Sequence, residues 1–301
     1  GTPAGTIAGH QSGNASGNAS GNAGFTTLAW PGIVGLRGAH RLFFLNVCVY
    51  LLLFVTLVAL MVVDERLFQG VSVWKKPAKF ALSIAVLFGT FAWFAALLPM
   101  DYWRSRAGRA LTWLAIGTAA FEMVYITGMA GLGQASHFNL STPFTTAMYS
   151  LMGLGATLLV STCLWLGIAI ARRSPGWAVD PVRLAVVLGL VLTFLLGGGF
   201  GGYLGSQMGH WVGASPTDAQ GLPLFDWARD GGDLRVAHFF GMHAMQALPL
   251  FALLVVGGRR VAAPDALAAG AAVGAVIGFT VLYAGVCVAT FVQALRGMPL
   301  V

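Results

Sequence analysis

The chain has 301 residues, of which 57% are hydrophobic and only 9% are charged. Soluble globular proteins carry about 25% charged residues, so this composition excludes that class and indicates an integral membrane protein. The formal net charge is +7, but the basic residues stand in short clusters between apolar runs, which argues against a nucleic-acid-binding face.

Residues 1–24 consist mainly of Gly, Ala, Ser, Asn and Thr and repeat the pattern Gly-Asn-Ala-Ser. Such a segment buries too little apolar surface to offset the entropy lost on ordering, so we predict a disordered tail or linker. Residues 25–301 are predicted to form a single transmembrane domain.

Seven apolar runs follow the tail, and each is long enough to cross a bilayer, because a spanning helix needs about 20 predominantly apolar residues. Backbone groups in lipid must bond within their own segment, which a helix achieves and an open strand does not. The sequence therefore predicts an all-α fold class, a polytopic membrane protein built as a bundle of seven transmembrane helices. The predicted spans are Leu42–Val63, Pro77–Leu98, Arg109–Ala130, Pro143–Ala171, Leu184–Gly205, Leu234–Gly257 and Ala266–Leu295.

The distribution of basic residues predicts the orientation N-in/C-out. With the N-terminus inside, ten basic residues lie in the inner segments and seven in the outer ones, as the positive-inside rule favours. The main exception is the cluster Trp74–Phe80, whose three lysines then lie outside. The loop 206–233 and the stretch Gln134–Asn139 share that side, so the polar stretches of the chain are predicted to meet at the outer face.

Glu122 is the acidic residue that lies deep within a predicted span. At 1.5 Å per residue it is roughly 12–14 Å below the outer end of the third span, and His243 is roughly 13 Å below the outer end of the sixth. A buried carboxylate is either protonated or paired. The matching depths predict a Glu122–His243 pair if the two helices are neighbours.

The sixth span carries two histidines and a glutamine. His243 and Gln246 are three residues apart and face the same way, whereas His238 lies about 140° round the helix from His243. His238 and His243 would share one metal ion only if the helix were kinked or if each reached a different neighbouring helix. We predict that His243 and Gln246 face Glu122 and that His238 faces His137, with interhelical packing as the alternative role.

Further polar side chains near the outer face are candidate substrate ligands. Lys79 lies just inside the second span and is predicted either to counter a carboxylate or to bind an anionic substrate. Arg235 and Gln246 in the sixth span are candidates for the same substrate. His210 follows the fifth span, and its alternative role is an interfacial anchor.

Local signals predict where helices begin and where they approach one another. Asp233 is predicted to cap the sixth span, and Thr142 followed by Pro143 to cap the fourth. Gly241 allows a second helix to come close, and Pro249 loosens the turn that follows.

The stretches Lys76–Phe80, Ser136–Asn139 and Gly231–Gln246 carry a resemblance. In them the chain resembles a family of uncharacterised polytopic bacterial membrane proteins, over roughly residues 40–296. The resemblance implies a multi-pass protein of the bacterial cytoplasmic (inner) membrane and implies no activity. The HxxxxH spacing of the sixth span departs from the HxxxH pair of ceramidase-type membrane hydrolases, so their function is not carried over.

A membrane enzyme at the outer leaflet is the first functional hypothesis. Glu122, His137, His238 and His243 would form a catalytic acid–base site or a metal site, with the loop 206–233 as a lid over a lipid-like or other small-molecule ligand. Imidazole and carboxylate groups suit zinc, iron or copper, and the neighbouring methionines would favour copper or a haem.

Two other functions stay open. In a proton-coupled transporter or permease, Glu122 and His243 would relay protons at intermediate depth. In a structural or assembly subunit, the polar face would bind a protein partner. We favour the enzyme because the histidine- and carboxylate-bearing stretches converge on one side of the membrane.

Overall fold

The computed structural model describes residues 40–257 and 266–301. The predicted disordered tail, residues 1–24, lies outside the described residues. So do three of the basic residues used in the orientation prediction, Arg37, Arg259 and Arg260.

Long helices form where the sequence predicts spans, and their ends differ from the predicted ones by at most three residues. Within the described residues, six helical segments are long and apolar enough to cross a membrane, or seven if one bent pair counts as a single span. The α-helices are α1 (Arg41–Val63), α2 (Lys75–Phe94), α3 (Met100–Arg104), α4 (Arg106–Gly131), α5 (Pro143–Arg173), α6 (Pro181–Leu192), α7 (Gly199–Ser206), α8 (Leu234–Met242), α9 (Ala244–Gly257) and α10 (Ala266–Leu295).

The short elements lie at the helix ends. Strands β1 (Leu67–Phe68) and β2 (Val71–Ser72) form an antiparallel hairpin. Its two turn residues have φ values of +53° and +84°, as the type I′ turn of a tight hairpin requires. Strands β3 (Trp211–Val212) and β4 (Gly232–Asp233) pair antiparallel and close the base of the long loop. The remaining turns are the 3₁₀ turns Ala95–Leu97 and Trp177–Val179 and the π-helical turn Thr193–Gly198.

The predicted helix caps are confirmed. The Asp233 side chain accepts a hydrogen bond from the amide of Arg235 at the start of α8. Thr142 and Thr145 form a reciprocal capping box at the start of α5, with Pro143 at the first helical position. These bonds satisfy amide groups that an open helix end would leave without partners.

Helix α2 lies at the centre of the bundle. About 61% of its most apolar window is buried, against 11% for α1 and 17% for α10. Phe88 and Phe91 of α2 are fully buried, and the Phe43 ring of α1 packs 5.8 Å and 5.6 Å from theirs. At the start of this central helix Pro77 and Ala78 are buried, Lys75 and Lys79 are half-buried, and Lys76 is exposed.

The pair α8–α9 is bent by 51° at His243, which has φ −90° and ψ 5°. The bend lies six residues before Pro249 and therefore outside the turn after Pro249 that was predicted to be loosened. Thr193 in the π-helical turn supports the break, since its hydroxyl lies 3.1 Å from the amide of Met245. Gly241 permits this contact, because a Cβ there would lie 2.6 Å from a backbone nitrogen of the π-helical turn. The predicted close approach at Gly241 is confirmed.

Candidate functional site

Three connections meet on one end of the bundle and bond to one another. Arg66 Nη1 donates to the carbonyl of Gly131 at 2.9 Å, and the amide of Asp218 donates to the carbonyl of Gln69 at 3.0 Å. The predicted meeting of the polar stretches on one side of the bundle is thus confirmed. We call this end the loop face, and it is formed by residues 64–74, 132–142 and 206–233.

Arg235 holds the long loop against the start of α8. Its Nε and Nη2 atoms form a bidentate pair with the Asp233 carboxylate, at 3.0 Å and 2.7 Å. Nη2 also lies 2.9 Å from Asp218 Oδ1 and donates to the carbonyl of Asp226. Because these partners all belong to the loop or its hinge, the structure places Arg235, predicted as a substrate ligand, in a structural network.

Lys75 and Lys79 share one carboxylate of the long loop. Lys79 Nζ lies 2.7 Å from Asp226 Oδ2 and 3.0 Å from the carbonyl of Phe225, while Lys75 pairs with Asp226 Oδ1. Asp226 is only 4% exposed and holds a φ of +60°, a left-handed conformation that a non-glycine residue keeps only under constraint. Of the two roles predicted for Lys79, the counter-charge to a carboxylate is the one observed.

Lys76 does not join this pair, and its side chain is exposed. The charges of four other residues act on it, namely Arg235, Asp218, Glu122 and Lys79. We call the accessible space at its ammonium group, beside His137, the crevice. Of the three lysines at the start of α2, Lys76 is the one without a carboxylate partner among the described residues.

His137 is the hydrogen-bonding partner of Lys76, with Nδ1 3.3 Å from Nζ. An ammonium group only donates, so Nδ1 accepts, and the Ser136 hydroxyl lies 3.1 Å from the same nitrogen. Burial and then the Lys76 charge lower the pKa of His137 well below its ordinary value, which keeps the ring neutral with its proton on Nε2. Because Nδ1 faces Lys76, the Nε2–H points to the other side of the ring. The ammonium group has three N–H donors, so two remain for an anion after the bond to Nδ1.

Glu122 faces helix α5. It is 4% exposed, and its Oε1 has no hydrogen-bond partner among the described residues. A Cβ at Gly155 would lie 2.8 Å from this oxygen, so the glycine makes room for the carboxyl group. Lys76 is the charge that acts on Glu122. Because α4 packs against α5 and α2, the predicted Glu122–His243 pair is wrong.

His243 instead heads a hydrogen-bonded chain to the central helix. Its Nδ1 lies 3.2 Å from Gln246 Oε1, which only accepts, so His243 donates. Gln246 Nε2 donates to Thr90 Oγ1 at 2.9 Å, and the Thr90 hydroxyl donates to the carbonyl of Val86. The predicted common direction of His243 and Gln246 is confirmed, but they face α2. Gln246, predicted as a substrate ligand, binds α2 through Thr90.

His238 faces the opposite side of α8. Its Nδ1 lies 2.9 Å from the carbonyl of Gly197, and its ring packs where a side chain at Gly201 would stand. The prediction that His238 and His243 point to different faces is confirmed. The prediction that His238 faces His137 is wrong, because His238 packs against the π-helical turn and α7.

Glu122, His137, His238 and His243 do not form one metal site. Each faces a different neighbour, and in residues 40–257 and 266–301 no group of three or more His, Cys, Asp or Glu side chains is arranged to hold a metal ion. The prediction that these four side chains are the ligands of one zinc, iron or copper ion is therefore wrong. The haem alternative stays a prediction.

His210 is buried in the long loop, with its Nε2 3.4 Å from Asp218 Oδ1. Burial lowers the pKa of His210, and the hydrogen bond to Asp218 only partly opposes this. Burial alone would raise the pKa of Asp218, but the hydrogen bond from His210 and the charge of Arg235 outweigh it and lower that pKa. His210, predicted as a substrate ligand or interfacial anchor, is part of the loop's internal network.

We expect the folded protein to lose stability as the pH falls below about 6.5. Because the pKa of His210 is lower in the folded state, the unfolded chain binds a proton that the folded loop does not. Thermal unfolding at pH 7.5 and pH 5.5 measures this loss, which should be smaller in His210→Gln. Equal losses in the wild type and the variant would contradict it.

Sequence reasoning missed the separate role of Lys76, because it singled out Lys79 among the three lysines of Trp74–Phe80. Lys75 and Lys79 are four residues apart and share a helix face, whereas Lys76 lies about 100° from Lys75. This difference in position around the helix was the signal that could have separated Lys76 from Lys75. Thr90 and Thr193, which support Gln246 and the bent span, stand in apolar runs that offered no such signal.

Comparison of the chain with protein-family models, with curated proteins and with solved structures gave no match. The family resemblance of the three motif stretches stays a prediction.

Proposed function

We propose that the protein is a seven-span protein of the bacterial cytoplasmic membrane, oriented N-in/C-out, in which α8 and α9 together form the sixth span. Its loop face would then lie at the outer leaflet. There it binds the anionic headgroup of a lipid-like substrate and acts on it as an acid–base membrane enzyme. The bias of basic residues and the apolar lengths of the helices support the topology.

The observation that carries the proposal is that Lys76 has no carboxylate partner among the described residues. Arg235, Lys75 and Lys79 are each engaged by loop carboxylates, so their charges are locally offset. Lys76 keeps its charge in an accessible crevice, where it bonds to the neutral His137 ring, at the start of a 20-residue helix. A helix N-terminus adds partial positive charge, so the ammonium group and its position both favour an anion.

Lys76, His137 and Glu122 divide the chemistry between them. Lys76 Nζ, oriented by its bond to His137 Nδ1, holds the anionic group and stabilises negative charge that develops on it. Glu122, a carboxyl group within the field of Lys76, is the proton acceptor or donor. The loop 206–233 is fixed over the start of α2 by the Asp226 ion pairs, which orders the wall of the crevice.

We expect Lys76→Gln to weaken binding of dioctanoyl phosphatidic acid about tenfold or more, since it removes a charged hydrogen bond. Titration of the purified protein in a neutral detergent measures the affinity. Arg109→Gln removes a cation from the opposite end of α4 and is expected to change the affinity by less than about twofold. Equal affinities of the wild type and Lys76→Gln would contradict the proposed function.

A proton-coupled transporter is the second candidate, and the bent span favours it. Interrupted spans expose backbone groups at substrate and ion sites of many transporters, and the bend at His243 lies beside the π-helical turn.

Proteoliposomes made from a total bacterial lipid extract separate the two functions. The enzyme proposal predicts that wild-type protein consumes an anionic lipid, detected by mass spectrometry, and that Glu122→Gln slows this by about 100-fold or more. The transport alternative predicts pH-driven flux that Glu122→Gln abolishes, with the lipid composition unchanged. Unchanged lipid consumption in Glu122→Gln would remove the acid–base role.

A further inference from the structure

A groove lies on the loop face beside the crevice. It has a volume of about 810 Å³, within the range of small-molecule sites. Its floor is the last turn of α4, and its walls are the connection 132–142, the first turn of α5 and the tip of the β1–β2 hairpin.

The lining of this groove is amphipathic. Met129, Leu132, Phe138 and Phe144 supply apolar surface, and Gln134 and Asn139 are polar residues of the lining. A site with an apolar wall and a few hydrogen-bonding groups fits a molecule that also has an apolar part and a polar part, such as a hydrocarbon chain with a polar head.

The rim of the groove faces the bilayer. Leu132, Leu140 and Phe144 are 69%, 48% and 66% exposed, and they stand at the ends of two helices long enough to span. Large apolar side chains exposed at this position contact lipid, so membrane lipids are the molecules that reach the groove directly.

One segment separates the groove from the crevice. Phe138 lines the groove, and its neighbour His137 bonds to Lys76 on the other side. Phe138 holds a φ of +58°, and its ring packs 5.5 Å from that of Tyr149. A non-glycine residue keeps this backbone conformation only where its surroundings impose it, as is common at ligand sites.

We propose that the groove binds a hydrocarbon chain of the lipid whose anionic headgroup is held by Lys76. This inference rests on the proposed function and names its substrate class, an anionic lipid that enters from the surrounding leaflet. The hydrocarbon chain lies along Met129 and Phe144, and the connection 132–142 lies between the hydrocarbon chain and the headgroup.

Chain-length dependence tests this inference. In the wild type, dioctanoyl phosphatidic acid is expected to bind at least about tenfold more tightly than the dibutanoyl form, because burial of two methylene groups already gives that factor. Ala135→Trp places a large ring in the groove and is expected to reduce the advantage to roughly twofold. The affinity of the dibutanoyl form should not change, since its headgroup site is intact.

The position of the bound acyl chain is tested in phosphatidylcholine nanodiscs, with a phosphatidic acid that carries a photoreactive group in that chain. Labelling is expected to concentrate in peptides from 129–145 and to fall in Ala135→Trp, while labelling of α10 stays constant. Should Ala135→Trp fail to fold, Phe144→Ala, which alters only an exposed rim residue, should lower the same labelling.

The outcomes separate the two proposals. The proposed binding of the hydrocarbon chain in the groove would be contradicted if the wild type and a folded Ala135→Trp showed the same dependence on chain length. Uniform labelling of all lipid-facing helices would contradict it too. Either result would leave the headgroup site intact. Failure of the dibutanoyl form to compete with the dioctanoyl form in a Lys76-dependent way would overturn the headgroup site itself.

Discussion

Arg235→Met is expected to lower the free energy of unfolding by about 3–5 kcal/mol, the usual cost of removing one partner from a buried ion pair. The Asp233 carboxylate is 1% exposed and that of Asp218 is 12% exposed, so neither regains full hydration when the guanidinium is removed. The long loop would then lose its link to the start of α8. We also expect faster proteolysis within 206–233, because local opening exposes the loop.

Arg229→Met is the matched control, since Arg229 belongs to the same loop and its side chain is exposed. Its expected effect is within about 0.5 kcal/mol. Unfolding in mixed detergent micelles measures both variants. Wild-type stability in Arg235→Met would show that the Asp218 and Asp233 contacts do not hold the loop.

Gly241→Ala is expected to destabilise the protein by about 1–3 kcal/mol, towards the upper end of that range. The added methyl group would stand 2.6 Å and 2.8 Å from the nitrogen and Cα of Gly197. Both are backbone atoms, so no side chain can rotate away, and α8 must move from the π-helical turn. The His238 bond to Gly197 would lengthen with it.

Gly117→Ala in α4 is the control, and its expected change in stability has the opposite sign. No atom lies within 4 Å of a Cβ at Gly117, so alanine should stabilise the helix by up to about 1 kcal/mol. Thermal unfolding of the two variants in the same detergent gives the comparison. Equal shifts in both would contradict the close contact at Gly241.

The helices could be predicted because each depends on local sequence alone. An apolar run of sufficient length forms a helix in lipid whatever its neighbours are, and the caps at Asp233 and Thr142 bond within three residues of themselves. The bend at His243 could not be predicted this way, because it depends on the Thr193 hydroxyl of another helix.

The candidate site could be predicted only as a set of residues on one face. Matching depths suggested the Glu122–His243 pair, but depth does not say which helices are neighbours. In the fold, α2 takes the position beside His243, and α5 takes the position beside Glu122. Thr90 and Gly155, which occupy those positions, belong to apolar runs and carry no motif.

The contact made by Lys76 is a second feature that could not be predicted from the sequence. Its sequence neighbours predict an anchor to lipid headgroups, which is the usual role of lysines at the end of a span. In the fold Lys76 contacts His137 of the connection 132–142, and this contact depends on how the bundle packs. The central claim therefore rests on a contact between two segments about 60 residues apart.

A density map of the protein in nanodiscs with saturating dioctanoyl phosphatidic acid tests that claim most directly. We predict a phosphate group in the crevice, with an oxygen about 3 Å from Lys76 Nζ. A crevice without phosphate at saturation, with Lys76 paired to Glu122 or Asp218, would contradict it.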